Sequence, residues 1–208
     1  MRLPIVPVSA FLLLAALPPL PAGEPEVVFE DGFAEKPAGG WTWLRENPEA
    51  WRIAEGTLEI RLEPGDANSV KNALVRPAPV RSEGRVAVEV TIRSLAAPTE
   101  QYEQAGITWY RDGKPVFKLV KERVDGKIVI VPGKVPVDDV PVRLRLEISG
   151  NRYTARFRPE GKEEFATAAE GDLPPPEKDE VSLQGYHGPA DADHRVRFDD
   201  FRILRLRD

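Results

Sequence analysis

The segment Val142-Arg143-Leu144-Arg145-Leu146-Glu147-Ile148-Ser149 alternates strictly between apolar and polar side chains. Successive side chains of a β-strand point to opposite faces, so the segment predicts a strand with one aliphatic face and one charged face. Residues 85–94 repeat the pattern, with valine or isoleucine at every second position. An aliphatic strand face must pack against a second layer, and the two segments therefore predict a layered β-sheet protein.

The same two-residue period extends over most of the chain. Turn dipeptides that tolerate positive φ, such as Asp112-Gly113, Asp125-Gly126 and Gly150-Asn151, separate the alternating segments. Helical periodicity is nearly absent, with short helical turns considered only at residues 47–50 and near Glu163. The further predicted strands are residues 57–62, 104–111, 115–122, 127–131, 153–158, 181–186 and 196–206.

About twelve short strands, each half apolar, predict an all-β, two-sheet antiparallel jelly-roll sandwich in which each sheet covers the other. A meandering barrel is the alternative. The segment Pro174-Pro175-Pro176 is interpreted as a loop, since a strand-like segment follows it. We expect the first strand, near residues 27–29, to pair with the last, near residues 198–204.

The N-terminus has the pattern of a secretory signal. Arg2 precedes an apolar segment at residues 5–17, and Leu20-Pro21-Ala22 ends in a small residue suited to cleavage. We therefore predict a signal peptide over residues 1–22, one domain over residues 23–208, and a secreted or periplasmic location. A buried strand is the alternative for the apolar segment. Prolines interrupt it too often for a transmembrane helix, so no membrane insertion is expected.

The composition argues against several function classes. The chain has 29 basic and 34 acidic residues, a net charge of −5 and no cysteine, which excludes disulfides and thiol chemistry. No basic, aromatic-interleaved segment suggests a nucleic-acid partner. Gly-x-Ser-x-Gly, phosphate-loop and His-Glu-x-x-His motifs are absent, as is the Glu-x-Asp-x-Glu pattern that would place two carboxylates about 5 Å apart on one strand.

Three of the four tryptophans fall within eleven residues, at Trp41, Trp43 and Trp51. Flat aromatic faces stack on the C–H face of a pyranose, while polar neighbours bind its hydroxyls. Trp43 with Arg45 is therefore a candidate sugar-binding pair. The alternative is that the tryptophans cap the core of the sandwich.

A second candidate site lies on the outward face of two successive strands. Ala105, Ile107 and Trp109 are expected in the core, which leaves Gln104, Thr108 and Tyr110 facing outward. The equivalent outward residues of the next strand are Lys118 and Glu122, and a third strand adds Tyr186. The alternative is an ordinary solvated face with a Lys/Glu pair.

A third cluster contains Asp191, Asp193 and His194, with Asp199-Asp200 close behind. Alternating aspartates in a loop can bind calcium, whereas an acidic turn without metal is the commoner structure. No cofactor is expected apart from this calcium alternative.

Several short motifs occur in a characteristic order: Trp43-x-Arg45, Pro48, Trp51, Gly56-x-Leu58-x-Ile60, Glu103-Gln104-Ala105-Gly106-Ile107, Phe117-Lys118-Leu119-x-x-Glu122, Val181-x-Leu183-x-Gly185 and Phe198-Asp199-Asp200-Phe201. In this order the chain resembles the concanavalin A-like domain at the C-terminus of β-xylosidases and its relative named for regulation of enolase protein. The resemblance implies a jelly-roll sandwich and a secreted protein of carbohydrate metabolism. A weaker resemblance is to secreted 3-keto-disaccharide hydrolase-like domains.

These observations give two functional hypotheses. The first is a non-catalytic carbohydrate-binding module in which Trp43, Tyr110 and Tyr186 stack on sugar rings. The hydrogen-bonding residues would be Arg45, Gln104, Lys118 and Glu122. The alternative is a glycoside hydrolase or lyase acting on a small or modified sugar, with Glu122 as acid or base and Lys118 tuning it.

Overall fold

The structure is a computed structural model that describes residues 24–207. The predicted signal peptide over residues 1–22 lies outside the described residues, as does Asp208. Within residues 24–207 no helix has the length and apolar character needed to cross a membrane.

Strands dominate the described chain, and one short 3₁₀ helix, Arg81–Glu83, interrupts them. The segments at residues 47–50 and near Glu163, considered as helical turns, form turns and bends without a helix. The strands are β1 Glu26–Asp31, β2 Thr42–Leu44, β3 Trp51–Ala54, β4 Thr57–Arg61, β5 Ala73–Pro77, β6 Val86–Ser94, β7 Gln104–Arg111, β8 Lys114–Val124, β9 Lys127–Val131, β10 Val135–Pro136, β11 Val142–Ser149, β12 Arg152–Pro159, β13 Ala166–Asp172, β14 Asp179–Tyr186 and β15 Arg195–Arg205.

The strands form two antiparallel sheets. Sheet A has the order β13-β12-β11-β6-β15-β4-β3, with β1 also paired to β15, and sheet B has the order β10-β9-β8-β7-β14-β5-β2. The predicted two-sheet sandwich is confirmed, and the barrel alternative is wrong because neither sheet closes on itself. The expected pairing of the first and last strands is also confirmed, with Phe29 opposite Ile203.

The core lies between the sheets and contains the aliphatic faces that the alternation predicted. In β6 and β11 every second residue is buried in this core, as expected for the two segments that indicated the fold. Sheet B contributes Ile107 and Trp109 of β7, both fully buried. These side chains face sheet A, so the alternate residues of β7 must lie on the outer face of sheet B.

The tryptophans close the core. Trp41, Trp43 and Trp51 are partly buried and pack against the core cluster, and the rings of Trp43 and Trp51 lie 4.7 Å apart. The indole nitrogen of Trp41 donates to Asp31 at 2.9 Å. The capping interpretation is therefore confirmed for all three, including Trp43.

The outer face of sheet A is covered with ion pairs. Glu59 of β4 is fully buried beneath two arginines, with Arg52 at 2.6 Å and Arg197 at 2.8 Å from its carboxylate. Burial alone would raise the pKa of Glu59, but hydrogen bonds and charge from Arg197 and Arg52 outweigh burial and lower the pKa below its ordinary 4.5.

This arrangement predicts a loss of stability in acid. The contribution of Glu59 is fully present above its ordinary pKa and is lost as pH falls through the lower pKa of the folded state, because unfolding then takes up a proton. Urea unfolding at about pH 6 and about pH 3 measures the effect. Glu59→Gln should have a shallower pH dependence than the native chain. The exposed Glu170→Gln is the control, and an unchanged slope in Glu59→Gln would contradict the prediction.

Candidate functional site

A pocket of about 570 Å³ lies on the outer face of sheet B. Pockets that hold small organic ligands typically measure about 300–1,000 Å³, so this one can enclose a ligand of that size. Strands β7, β8 and β14 supply its floor, and three connections, β4–β5, β6–β7 and β14–β15, form its walls. The lining residues are Asp66, Ala67, Asn68, Tyr102, Gln104, Thr108, Pro115, Val116, Phe117, Lys118, Glu122, Tyr186 and His187.

Strand pairing brings the polar residues of the floor together. β7 lies between β14 and β8, so Gln104 has Tyr186 on one side and Glu122 on the other. Thr108 lies opposite Lys118 on β8. Between them is Gly106, where an added Cβ would lie 2.4 Å from the carbonyl oxygen of Leu119. Glycine at this point therefore permits the close approach of β7 and β8 beneath the pocket.

The ammonium group of Lys118 connects the polar residues of the floor. Its Nζ donates to Oε1 of Gln104 at 2.8 Å and to Oε2 of Glu122 at 2.9 Å. The Gln104 side chain in turn donates from Nε2 to the carbonyl oxygen of Tyr102 at 2.7 Å. Gln104 and Glu122 are buried, whereas the Lys118 side chain is 33% exposed. This polar triad of Gln104, Lys118 and Glu122 is therefore held in one geometry and opens to solvent at the lysine.

Aromatic rings form one side of the pocket. The ring of His187 lies 5.4 Å from that of Tyr186 and 6.2 Å from that of Tyr102. Tyr102 is 48% exposed, and Val116 on the opposite side is 36% exposed. Both Tyr102 and His187 have positive φ, at 67° and 59°, a backbone conformation that non-glycine residues adopt mainly where the surrounding structure enforces it.

Two titratable groups at the pocket have perturbed pKa values. Burial, followed by the charge of Glu122, raises the pKa of Tyr186 far above its ordinary value, so its hydroxyl keeps its proton and can act as a donor. Hydrogen bonds from the backbone of Asn68 and Ser69 lower the pKa of Asp66, which keeps that carboxylate ionised. The pocket lining thus contains a protonated tyrosine hydroxyl and a negative charge.

A connection between β4 and β5 covers another part of the outer face of sheet B. Val70 packs there with Val75 and Tyr186, and Nε of Arg45 donates to the carbonyl oxygen of Val70 at 2.6 Å. Underneath, the Tyr110 hydroxyl donates to Oε1 of Gln184 at 2.9 Å. Arg45 therefore ties this connection to the segment that follows β2.

The sequence-predicted site residues separate into two groups. Gln104, Lys118, Glu122 and Tyr186 line the pocket together. Tyr110 is 2% exposed and does not line it; its hydroxyl is bonded to Gln184, and the Arg45 side chain lies beside it.

Trp43 and Arg45 also lie outside the pocket lining. Trp43 pairs with Leu74 on the inner side of sheet B, and Leu74 belongs to the core. The structure therefore places the rings of Trp43 and Tyr110 outside the pocket, contrary to the expectation that they stack on a ligand.

Sequence reasoning missed Tyr102, His187, Asp66 and Asn68. All four belong to connections between strands, where the two-residue period gives no information about direction. The dipeptide Tyr186-His187 at the end of a predicted strand was the one available signal. Thr108 was expected on the outer face but was not selected as a site residue.

The acidic cluster does not form the calcium site that was considered. Asp193 pairs with Arg195 at 3.0 Å, and Nδ1 of His194 lies 2.8 Å from the carboxylate of Glu103. Within residues 24–207 no group of three or more His, Asp or Glu residues is placed to hold a metal ion. Asp193 is instead paired with arginines, and His194 with a carboxylate of another connection.

A second depression, of about 620 Å³, lies beside β1 and is lined by residues 30–36 and 200–202. Asp31 at its base already accepts from the backbone of Phe33 and Ala38 and from Trp41. The Asp31 carboxylate is thus satisfied by the fold, and the outer-face pocket of sheet B is the better candidate site.

Comparison with known proteins identifies the fold but no family. No protein-family profile matches the chain. No curated protein matches it either.

Solved structures do match. The GH43 protein BlXynB from Bacillus licheniformis aligns over 90% of this chain and 41% of its own length, with a TM-score of 0.70 and 20% identity. The xylan beta-1,4-xylosidase from Bacillus halodurans C-125 aligns over 89% and 41%, with a TM-score of 0.64 and 18% identity. The chain thus spans less than half the length of these proteins.

A third structure, described with endo-acting O-glycanases of the human gut microbiota that initiate mucin breakdown, aligns over 87% of this chain and 100% of its own length. Its TM-score is 0.58 and its identity 13%. At these identities the comparisons support the jelly-roll fold that the sequence resemblance implied. The narrower likeness to regulation-of-enolase relatives stays a prediction.

Proposed function

We propose that this chain is a non-catalytic carbohydrate-binding module that acts outside the cytoplasm. The observation that carries the proposal is the pocket on sheet B, in which the polar triad of Gln104, Lys118 and Glu122 is flanked by Tyr102 and Tyr186. Fixed hydrogen-bonding groups beside the exposed ring of Tyr102 match a sugar, which has hydroxyls at its rim and C–H groups on its ring face.

The structural neighbours agree with this proposal without establishing it. Two of them are named as a GH43 protein and a xylan xylosidase, and a third is described with mucin-degrading O-glycanases. In each case that function belongs to the neighbour itself. The shared fold makes carbohydrate the first ligand class to test for this chain.

Isothermal titration calorimetry with the chain from residue 23 onward tests the proposal. We expect xylo-, cello-, galacto- or mucin-type oligosaccharides to bind with dissociation constants in the micromolar to millimolar range, about −4 to −8 kcal/mol. Absence of binding to every glycan at millimolar concentration would refute carbohydrate binding.

Tyr102→Ala should weaken binding of the glycan that the native chain prefers by about five- to thirtyfold, because aromatic contacts of this kind contribute on the order of 1–2 kcal/mol. Tyr102→Phe keeps the ring and should bind nearly as well as the native chain. The ring of Tyr102 is about half exposed, so neither change should greatly affect the melting temperature. Equal binding by all three chains would show that Tyr102 does not contact the sugar.

The enzyme alternative has one observation in its favour. Glu122 is 4% exposed, and a second carboxylate, that of Asp66, lines the same pocket. In that function Glu122 would be the acid or base and the contact with Lys118 would tune it. Hydrolysis of aryl glycosides and small disaccharides by the purified chain is the assay. Activity that persists unchanged in Glu122→Gln would exclude this mechanism.

The proposed export is tested separately. When the full-length chain is expressed with its N-terminus intact, we expect cleavage after Ala22, so that N-terminal sequencing of the extracytoplasmic protein begins at Gly23. A full-length chain retained in the cytoplasm would contradict the proposed location and leave the binding proposal intact.

A further inference from the structure

At the pocket floor, Lys118 and Glu122 each keep one hydrogen-bonding group without a partner among the described residues. An ammonium group has three N–H donors, and Lys118 uses one for Gln104 and one for Glu122. The same contact occupies Oε2 of Glu122, whereas its Oε1 receives no hydrogen bond from the described part of the chain. One donor and one acceptor therefore remain side by side on two residues of the same strand.

Thr108 supplies a third free group. Its side chain lines the pocket and is 1% exposed, yet its Oγ1 has no hydrogen-bond partner among residues 24–207. A buried hydroxyl without a partner costs free energy that a bound group can recover. Because Thr108 lies opposite Lys118, this hydroxyl belongs to the same patch of floor as the free N–H of the lysine.

The charges of the pocket oppose an acidic ligand. Lys118 is the one lysine or arginine in the described lining, and Glu122 already pairs with it at 2.9 Å. Asp66 adds a carboxylate that its own hydrogen bonds keep ionised, and His187 lies close enough to lower the pKa of Asp66 slightly further. A ligand carboxylate would meet two protein carboxylates and no unpaired cation from lysine or arginine.

We propose that the pocket selects neutral sugars with two adjacent free hydroxyls and discriminates against uronic, sialylated and other acidic sugars. This inference rests on the proposed carbohydrate binding. One hydroxyl of the pair donates to Oε1 of Glu122, and its neighbour accepts from Lys118 and contacts Thr108. Discrimination arises because a carboxylate in the same position is repelled by the negative charges of Glu122 and Asp66.

The test uses pairs of probes that differ in charge: xylotriose and glucuronoxylotriose, cellotriose and its glucuronate-ended form, lactose and sialyllactose, and methyl-esterified and free trigalacturonate. Affinity is measured by calorimetry at low and at high salt. We expect the neutral member of any pair that binds to bind about tenfold tighter or more, with the ratio narrowing at high salt. Glu122→Gln and Asp66→Asn should each also reduce the ratio of the affinity for the neutral probe to the affinity for the acidic probe.

Thr108→Val tests the hydroxyl contact with little change of shape. It should weaken binding of the neutral probe about three- to tenfold while leaving the melting temperature unchanged or higher, because the native hydroxyl has no protein partner. Thr108→Ser restores the hydroxyl and should restore affinity. Unchanged affinity in Thr108→Val would overturn the hydroxyl contact.

The other possible results distinguish a failure of the proposed selectivity from a failure of the proposed function. If acidic probes bind as tightly as their neutral partners, or more tightly, the selectivity is wrong and the proposed function stands. If no probe of either charge binds, the proposed function fails and this inference fails with it.

Discussion

Lys118→Met should abolish most glycan binding, with a loss of affinity of about thirtyfold or more, equivalent to about 2 kcal/mol. The lysine holds both Gln104 and Glu122 in place, at 2.8 and 2.9 Å. Methionine keeps the length of the side chain but removes every donor, so two buried acceptors lose their partner and the ligand loses a hydrogen bond. Calorimetric titration with the glycan preferred by the native chain measures the loss.

Stability separates the structural contribution of Lys118 from its contribution to binding. Lys118→Met alone should also lower the free energy of unfolding by about 1–3 kcal/mol, since Glu122 is left buried beside an apolar group. Adding Glu122→Gln should recover part of this stability without recovering affinity. Lys114→Met, at an exposed position of the same strand, is the control and should leave both quantities unchanged. Native affinity in Lys118→Met would refute the assignment of the polar triad to the binding site.

Arg81→Met should have the largest effect on stability, a loss of about 3–5 kcal/mol in the free energy of unfolding. The Arg81 side chain is 1% exposed, and its Nε and Nη2 both lie 2.8 Å from Oδ2 of Asp179. Nη2 also donates to the carbonyl oxygen of Pro174 at 2.9 Å. The substitution leaves Asp179 as a buried charge and removes a contact that joins the 3₁₀ helix to β14 and to the proline connection.

Urea denaturation followed by circular dichroism measures this loss. Arg152→Met is the matched control, because Arg152 is 68% exposed and pairs with the exposed Glu170 at 3.5 Å, an arrangement worth about 0–1 kcal/mol. Arg81→Lys keeps the charge but loses the forked geometry, so its stability should lie between those of the native chain and Arg81→Met. If Arg81→Met does not fold, Arg81→Lys still measures the effect. A loss below about 1 kcal/mol in Arg81→Met would contradict the prediction.

The candidate site was predictable where it follows the strand period. Gln104 lies on the outer face because Ala105, Ile107 and Trp109 fill the core, and the alternation of β7 indicates this directly. The hairpin between β7 and β8 then brings Lys118 and Glu122 to the same face. Strand alternation does not indicate which outward residues remain accessible to solvent. Tyr110 was therefore predicted to share a binding surface with Gln104, although it does not line the pocket.

The walls of the pocket depend on the connections. Tyr102 and His187 have positive φ and approach each other from segments 85 residues apart in sequence, so no local pattern indicates their contact. The direction of Trp43 was ambiguous for a different reason, because a three-residue edge strand is too short for its period to identify the buried face.

The sequence by itself determined the two-sheet sandwich, the buried faces of β6 and β11, and the polar triad on β7 and β8. Each of these follows from the two-residue period of a strand and from the need to cover an apolar face. Only the tertiary structure decided which outward residues are accessible. The connection between β4 and β5 folds over part of sheet B, Tyr110 is buried beside Arg45, and the pocket stays open, since long-range packing rather than local alternation determines what covers an outer face.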